Sequence, residues 1–146
     1  MRYTRIIEEF RGEYRWLSNF WIHDTARRLS VEHHYQAAKT TNYQDWLLIM
    51  SAETPSLAKK YGKPVERGGR ISVREDWNDV RLTLMEQFTR EKYGTNRELR
   101  QKLLDTSGSL IIEGNTHGDT FWGVCNGVGE NNLGKIIMRI RDEFLQ

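Results

Sequence analysis

Residues that favour helix starts recur along this chain, and each stands before a segment whose apolar residues repeat at helical intervals. Side-chain oxygens at such positions accept hydrogen bonds from the free N–H groups of a helix start, and proline suits the first helical position. Ser30 precedes a predicted helix over 31–41, and a second covers 43–51. A third is predicted to begin at Pro55, capped by Thr54.

The same reasoning predicts three later helices. Residues 72–75 have the spacing of a capping box, and the apolar residues behind them recur at helical intervals up to Gly94. Asn96 precedes the next helix, and Asn131 or Asn132 caps the last. The apolar stripe of that last helix is Leu133, Ile136, Ile137, Ile140 and Phe144.

Short β-forming segments lie between these helices. Residues 3–10, 14–16 and 110–112 are rich in β-formers, with turn residues at 11–13. The chain has only two prolines and no linker-like, repeated or low-complexity tract. We therefore predict an α+β fold with one compact domain over residues 1–146, mostly helical with a small β-sheet.

Composition limits the class of protein. No apolar run approaches the ~20 residues that cross a bilayer, and residues 1–5 lead into no signal-peptide core, so we expect neither a membrane span nor a Sec signal. A single cysteine, Cys125, excludes an internal disulfide framework and favours the reducing cytoplasm. The formal net charge of +2 is too small for binding nucleic acid mainly by charge, but it does not exclude a nucleic-acid substrate that is recognised through one pocket.

Metal and nucleotide motifs are missing from the sequence. It has no P-loop, no Gly-x-Ser-x-Gly elbow and no His-Glu-x-x-His motif. His33 and His34 are adjacent, so their rings on a helix point about 100° apart, which is poor geometry for one metal ion. We therefore expect no metal and no cofactor.

One face of the predicted helix 31–41 is the first candidate site. Glu32, Tyr35 or Gln36, and Lys39 share that face because they stand at i, i+3 or i+4, and i+7. A carboxylate and an amine beside two alanines are able to line a polar pocket. The alternative is a solvated face with surface ion pairs.

Two further segments are candidates. In the glycine-rich stretch 113–122, Asp119 lies three residues before Trp122, and functional residues favour such loops. The alternative is a connection between helices with a buried tryptophan. Earlier, Ser18 and Asn19 lie between large apolar residues and are either turn formers or pocket donors.

Several blocks occur in a fixed order from Phe10 to Arg141. They are Leu17-Ser18-Asn19-Phe20; Glu32-His33, Tyr35-Gln36 and Lys39; Ala58-Lys59 and Gly62; Trp77, Met85 and Phe88; Leu103-Leu104-x-Thr106; Glu113; Asp119-x-x-Trp122-Gly123; and Asn131-x-Leu133-Gly134-Lys135 with Met138 and Arg141. In this order they resemble the NADAR-domain family, the YbiA-like N-glycosidases. Cys125 stands where relatives often carry glycine, and we expect a packed thiol there rather than a nucleophile.

The resemblance implies a YbiA-like fold and cleavage of a bond between ribose C1 and an amine nitrogen. Implied substrates are ADP-ribose attached to guanine, in a nucleotide or nucleic acid, and ribosylamino-pyrimidine intermediates of riboflavin synthesis. By matched position, Glu32 stabilises the sugar cation or activates water, and Asp119 holds ribose hydroxyls or acts as a second acid/base. Lys39 donates a proton, contacts the ring oxygen or forms a transient Schiff base. The implied substrate-binding residues are Ser18, Asn19, Tyr35, Gln36, Trp77, Trp122 and Gly123.

Two other classes of protein stay open at this stage. A non-catalytic module would recognise ADP-ribose or a nucleotide through the same pocket. A helical adaptor would use Glu32, Lys39 and Asp119 as structural ion pairs. Turnover of an ADP-ribosylated guanine substrate separates the enzyme from both.

Overall fold

The structure of the protein is a computed structural model that describes residues 3–146. Met1 and Arg2 lie outside these residues, although they belong to the predicted domain and to the segment 1–5 discussed above for a Sec signal. In chain order the strands and helices are β1 (Arg5–Ile7), β2 (Ile22–Asp24), β3 (Leu29–Ser30), α1 (Val31–Ala37), α2 (Tyr43–Met50), α3 (Pro55–Tyr61), α4 (Trp77–Thr95), α5 (Arg97–Leu104), β4 (Ser109–Ile111), β5 (Gly114–Asn115), β6 (Val124–Cys125) and α6 (Asn132–Phe144). Two 3-10 helices cover Gly12–Leu17 and Val65–Arg67. The chain forms two compact units, residues 19–88 and residues 3–18 with 89–146.

In the unit 19–88, helices α1, α2 and α3 pack against one another. Their shared apolar cluster contains the buried residues Ala37, Ile49, Ala52, Ala58 and Ile71. The predicted starts of α1 and α3 are confirmed: the Ser30 hydroxyl accepts from the His33 backbone N–H, and the Thr54 hydroxyl accepts from Leu57 N–H with Pro55 at the first position. Strands β2 and β3 form an antiparallel pair directly before α1.

Helix α1 ends at Ala37, four residues earlier than predicted. The backbone N–H groups of Lys39 and Thr40 donate to the carbonyls three residues back, at 3.2 and 3.3 Å, which tightens the chain out of the α-helical path. The Lys39 carbonyl then accepts a 2.8 Å hydrogen bond from Arg74 N–H. The predicted capping box at 72–75 is therefore wrong: the backbone at Arg74 pairs with Lys39, and α4 begins later, at Trp77.

In the unit formed by 3–18 and 89–146, β1 pairs in parallel with β4, and α6 packs on β4. The apolar stripe of α6 is buried as predicted, except that Phe144 is half-buried. Arg141 on the same helix is also buried, and its guanidinium donates to the carbonyls of Thr106 and Ser109 at 3.0 and 2.8 Å. Since these bonds stay within the unit, Arg141 ties α6 to the segment before β4.

The predicted strand over 14–16 is wrong, because these residues lie in the first 3-10 helix. Tyr14 N–H donates to the Arg11 carbonyl at 3.0 Å, and the Trp16 indole N–H donates to the Glu13 carbonyl at 2.9 Å. These short-range bonds satisfy the backbone locally, so the segment needs no strand partner.

The predicted α+β class is confirmed, with six α-helices and three two-stranded sheets in residues 3–146. Within that part of the chain, no helix is both long and apolar enough to span a bilayer.

Candidate active site

Glu32 lies in the first turn of α1 and is only 6% exposed. The Gln36 amide, one turn later, donates a 2.7 Å hydrogen bond to Glu32 Oε1. The Glu32 backbone N–H donates to the Asn19 carbonyl at 3.0 Å. Because Glu32 and Gln36 are both buried, this part of the helix is not the solvated face that the sequence left open.

In the side-chain amide of Gln36, the nitrogen donates a hydrogen bond, whereas the oxygen accepts none from the described residues. Its Oε1 is buried and forms no hydrogen bond with any of residues 3–146. Its side chain also lies directly against Gly62, where any Cβ would overlap it. Buried polar atoms usually have partners, so this oxygen is an exception within the described residues.

Lys39 follows the end of α1, and its ammonium group lies near the Gly62 carbonyl and the Tyr35 ring of the same unit. Its Nζ lies 3.5 Å from the Gly62 carbonyl and 5.8 Å from the centre of the Tyr35 ring. The pKa of Lys39 is lowered to about 8: burial is the main cause, the charge of Glu32 opposes it, and the cations Arg67 and Lys59 add to the lowering. The amine is therefore able to exchange a proton near neutral pH.

Tyr35 and Trp77 form an aromatic contact beside these groups. Their ring centres are 5.0 Å apart with planes tilted by 53°, and both residues are buried. Asn19, which lies in the same unit, also donates from its amide to Met85 Sδ at 3.6 Å. The structure thus brings four predicted residues into linked contacts with Glu32 or Lys39: Asn19, Gln36 and Tyr35 directly, and Trp77 through Tyr35.

Asp119 lies in the other unit, where one of its oxygens organises a turn. Its Oδ1 accepts hydrogen bonds from the backbone N–H groups of Phe121 and Trp122 at 3.1 and 2.9 Å. The Asn115 side chain bonds both the N–H and the carbonyl of Asp119, at 3.0 and 2.8 Å. Asp119 Oδ1 is therefore committed to the backbone, which leaves Oδ2 as its remaining acceptor.

Gly123 and Trp122 complete this loop. A Cβ at Gly123 would overlap the carboxylate and carbonyl of Glu113, so glycine allows that close approach. The half-buried Trp122 ring meets the Phe121 ring edge-on, with centres 4.8 Å apart. Gly123 thus has a packing role in addition to the substrate-binding role that the resemblance implies.

Glu113, Asn115 and Lys92 lie around the predicted residues of this unit but were absent from the predicted site. The Asn115 amide donates to Glu113 Oε2 at 3.2 Å as well as to Asp119. The fully buried Lys92 donates from Nζ to the Ser18 carbonyl at 3.0 Å, and burial lowers its pKa to about 7. The four-residue spacing of Asn115 and Asp119 could have indicated that Asn115 contacts the predicted site residue. No neighbouring residue distinguishes Lys92 from a surface lysine.

The predicted site residues thus fall in two groups. The unit 19–88 contains Asn19, Glu32, Tyr35, Gln36, Lys39 and Trp77. The unit formed by 3–18 and 89–146 contains Ser18, Asp119, Trp122 and Gly123.

Histidine side chains near the site have structural partners. The His33 ring accepts from Ser30 N–H at 3.1 Å and bonds the Ala52 carbonyl at 2.9 Å through its other nitrogen. His34 stacks on Phe88 with ring centres 5.3 Å apart. Over residues 3–146, no group of three or more His, Cys, Asp or Glu side chains has the arrangement of a metal site.

The sequence profile of the NADAR domain matches residues 8–145. The protein therefore belongs to the NADAR domain family. A solved structure, the NMR structure of the E. coli protein YbiA, superposes with a TM-score of 0.83 over 99% of this chain and 88% of that one, at 27% identity.

Two curated relatives extend the comparison. An N-glycosidase of Nostoc punctiforme is 36% identical over 119 residues, which cover 79% of this chain and 73% of that protein. The chloroplastic riboflavin biosynthesis protein PYRR of Zea mays is 34% identical over 123 residues, which cover 80% of this chain but only 20% of that protein. The likeness to the maize protein therefore concerns one part of a much longer chain.

Proposed function

We propose that this protein is an N-glycosidase that hydrolyses the bond between a ribose C1 and a nitrogen, with Glu32 and Lys39 as catalytic residues. The observation that carries the proposal is the buried Glu32 carboxylate, held by Gln36 at 2.7 Å on the face that leads to a lysine of lowered pKa. The names of the Nostoc relative and of YbiA-type relatives support this class of reaction.

Glu32 would act on the sugar. When the C1–N bond breaks, its electron pair leaves with the nitrogen, and positive charge develops on C1 and the ring oxygen. A carboxylate that is already desolvated and oriented stabilises that charge without reorganising. The hydrogen bond from Gln36 fixes the orientation, so Gln36 serves as a positioning residue.

Lys39 would act on the leaving nitrogen. Its ammonium gives a proton to the departing base, a water molecule adds to C1, and Glu32 accepts the proton that the water releases. Return of that proton to Lys39 restores both groups, so the net reaction consumes one water. In the alternative route, the neutral amine of Lys39 adds to C1 of the opened ribose, expels the base and forms a Schiff base that water hydrolyses.

We propose ADP-ribose attached to guanine as the preferred candidate substrate and a ribosylamino-pyrimidine as the second candidate. The maize relative, named as a riboflavin biosynthesis protein, supports the ribosylamino-pyrimidine. Asn19, Tyr35 and Trp77 would bind the substrate in the unit 19–88. The other unit would contribute four more substrate-binding residues: Ser18, Asp119, Trp122 and Gly123. Residues 1–146 would act as one NADAR domain.

Incubation with an ADP-ribosylated guanine oligonucleotide and with a ribosylamino-pyrimidine phosphate tests the proposal, with product release followed by mass spectrometry. Reaction in ¹⁸O water should place the label on ribose C1. Glu32→Gln should reduce the rate by about 10²-fold or more with little change in melting temperature, because shape is kept and charge is removed. Glu53→Gln, at an exposed position, is the matched control.

Three outcomes would contradict this proposal. Ligand binding without turnover of either substrate would instead support a non-catalytic ADP-ribose or nucleotide module. A Glu32→Gln variant that unfolds, or that works at the wild-type rate, would make Glu32 structural. Loss of activity on chelation, restored by zinc, would contradict the predicted metal independence.

A further inference from the structure

An exposed aromatic pair lies on α2, close in sequence to Lys39. Tyr43 is 65% exposed and Trp46 is 39% exposed, and their rings stack with centres 5.9 Å apart and planes only 16° from parallel. Leu47 beside them is also exposed. With Leu47 the stacked rings form a contiguous apolar patch, the kind of surface feature that partners and ligands use.

A cluster of cations faces solvent in the same unit. The basic segment, residues 59–70, contains five basic residues and one acidic residue, Glu66. All five are exposed: Lys59, Lys60, Lys63, Arg67 and Arg70. Lys59, Lys60, Lys63 and Arg67 form no ion pair with any of residues 3–146. For a chain whose whole net charge is +2, this is a marked local excess of positive charge.

The basic segment has a fixed backbone, which begins in the last turn of α3 and includes the 3-10 helix Val65–Arg67. The Lys63 carbonyl accepts from the N–H groups of Arg70 and Ile71 at 3.0 and 3.1 Å, and Val65 N–H donates back to the Ile71 carbonyl at 3.0 Å. Gly68 turns the chain with a φ of +85°, in the left-handed region that glycine favours. The cations are therefore presented by an ordered backbone, which reduces the entropy lost on binding.

Contacts connect the basic segment with both Lys39 and the aromatic pair. At one end, Lys59 Nζ lies 5.8 Å from the Phe20 ring, and Lys59 and Arg67 act electrostatically on Lys39. At the other end, Arg70 pairs with Asp45 of α2 at 3.2 Å, between the positions of Tyr43 and Trp46. Cations thus extend from the catalytic amine to the stacked rings within one unit.

We propose that the aromatic pair and the basic segment bind single-stranded nucleic acid, so that the ribosylated base is presented to Lys39 as part of a strand. Cations bind the phosphates, and exposed rings stack on bases without regard to sequence. A mononucleotide would have no use for stacking rings beyond Lys39, and a protein partner would not require the run of unpaired cations. The reason for binding a strand rests on the proposed N-glycosidase function, but binding itself is measured without catalysis.

Fluorescence anisotropy with labelled, unmodified 12-mers of oligothymidylate and oligouridylate tests the proposal across a salt series. Trp46→Ala should weaken binding by about tenfold, the size expected for loss of one stacked base. The double variant Lys63→Gln with Arg67→Gln should weaken binding and lower the slope of log affinity against log salt by about 0.7 for each cation. The two oligomers distinguish DNA from RNA.

Matched controls use exposed residues of other helices, Leu82→Ala for the aromatic change and Arg97→Gln with Lys135→Gln for the charge change. Equal binding by these controls and the wild type supports the proposal. Failure of the wild type to bind either oligomer, or equal weakening in the controls, overturns it. Sedimentation adds another arm: a dimer that Trp46→Ala converts to monomer would assign the rings to a second copy of the chain and overturn it as well.

The two proposals fail separately. If a ribosylated mononucleotide is hydrolysed but no strand is bound, the N-glycosidase assignment stands and the strand surface is wrong. If the oligomers bind through these residues but no N-glycosidic bond is cleaved, the surface stands and the catalytic assignment fails.

Discussion

Gln36 occupies the space in which a side chain at Gly62 would have to lie, so the glycine at the end of α3 makes room for the amide that orients Glu32. Gln36 lies in α1, whereas Gly62 directly follows α3. The absence of a Cβ at position 62 is therefore a condition for the Glu32–Gln36 hydrogen bond.

Gly62→Ala should displace Gln36 and release Glu32 from its fixed orientation. Turnover should fall by about 10-fold to 10²-fold, and overpacking should cost ~1–3 kcal/mol of stability. The control is Gly94→Ala, because a Cβ there meets no atom within 4 Å. That variant should gain about 0.5–1 kcal/mol from helix propensity and keep its rate. Steady-state kinetics and urea unfolding would check both, and a wild-type rate for Gly62→Ala would contradict the role of Gln36.

The pH dependence of turnover should show the lowered pKa of Lys39, which is about 8. As proton donor, Lys39 must carry its proton, so turnover should fall as pH rises through 8. Lys39→Arg stays charged over this range, so the limb near pH 8 should disappear together with most of the rate. A rise in turnover through pH 8, with a covalent adduct trapped by borohydride, would show the Schiff-base route instead.

Stability should depend on pH through Lys92, whose pKa is lowered to about 7 by burial. The folded protein binds fewer protons than the unfolded chain between this value and the ordinary lysine pKa, so stability should rise with pH over that interval. The cost of the buried charge is fully present below pH 7. Lys92→Met should therefore gain more stability at pH 6 than at pH 9.5, measured by urea unfolding. Lys102→Met on the surface of α5 is the control and should show no such difference.

Two substitutions at Asp119 should separate its turn-forming role from its charge. Asp119→Asn retains an oxygen for the N–H groups of Phe121 and Trp122, so the fold should keep its melting temperature while turnover slows. Asp119→Ala loses those bonds and should cost about 1 kcal/mol of stability as well. Thermal melts beside kinetics would decide. Full activity in Asp119→Asn would leave Asp119 with the structural role only.

Local chemistry made several elements predictable from the sequence. Ser30, Thr54 and Asn96 each accept the expected N–H bond because a helix cap depends on neighbours within three residues. The Glu32–Gln36 contact follows in the same way from their spacing of four on a helix.

Long-range contacts explain what the sequence could not predict. The Arg74 backbone N–H donates to the Lys39 carbonyl, so the predicted capping box at 72–75 does not form. Lys92 Nζ donates to the carbonyl of Ser18, which lies 74 positions earlier in the chain. Asn131 precedes α6 as predicted but caps nothing with its side chain. That side chain instead bonds the Ile111 carbonyl and Glu113 N–H at 2.9 Å each. Each of these partners is chosen by the folded structure and not by neighbouring residues.

The parallel pairing of β1 with β4 also bears on the order in which the protein folds during synthesis. Arg5 pairs with Ser109, so β1 has no strand partner until more than a hundred further residues have left the ribosome. The unit 19–88 is continuous in the chain and is made in the meantime, whereas the other unit is complete only after residues 89–146 have been made. Until then β1, which includes the exposed Ile6, has no strand partner, and unpaired strand-forming segments are prone to associate with other chains during synthesis.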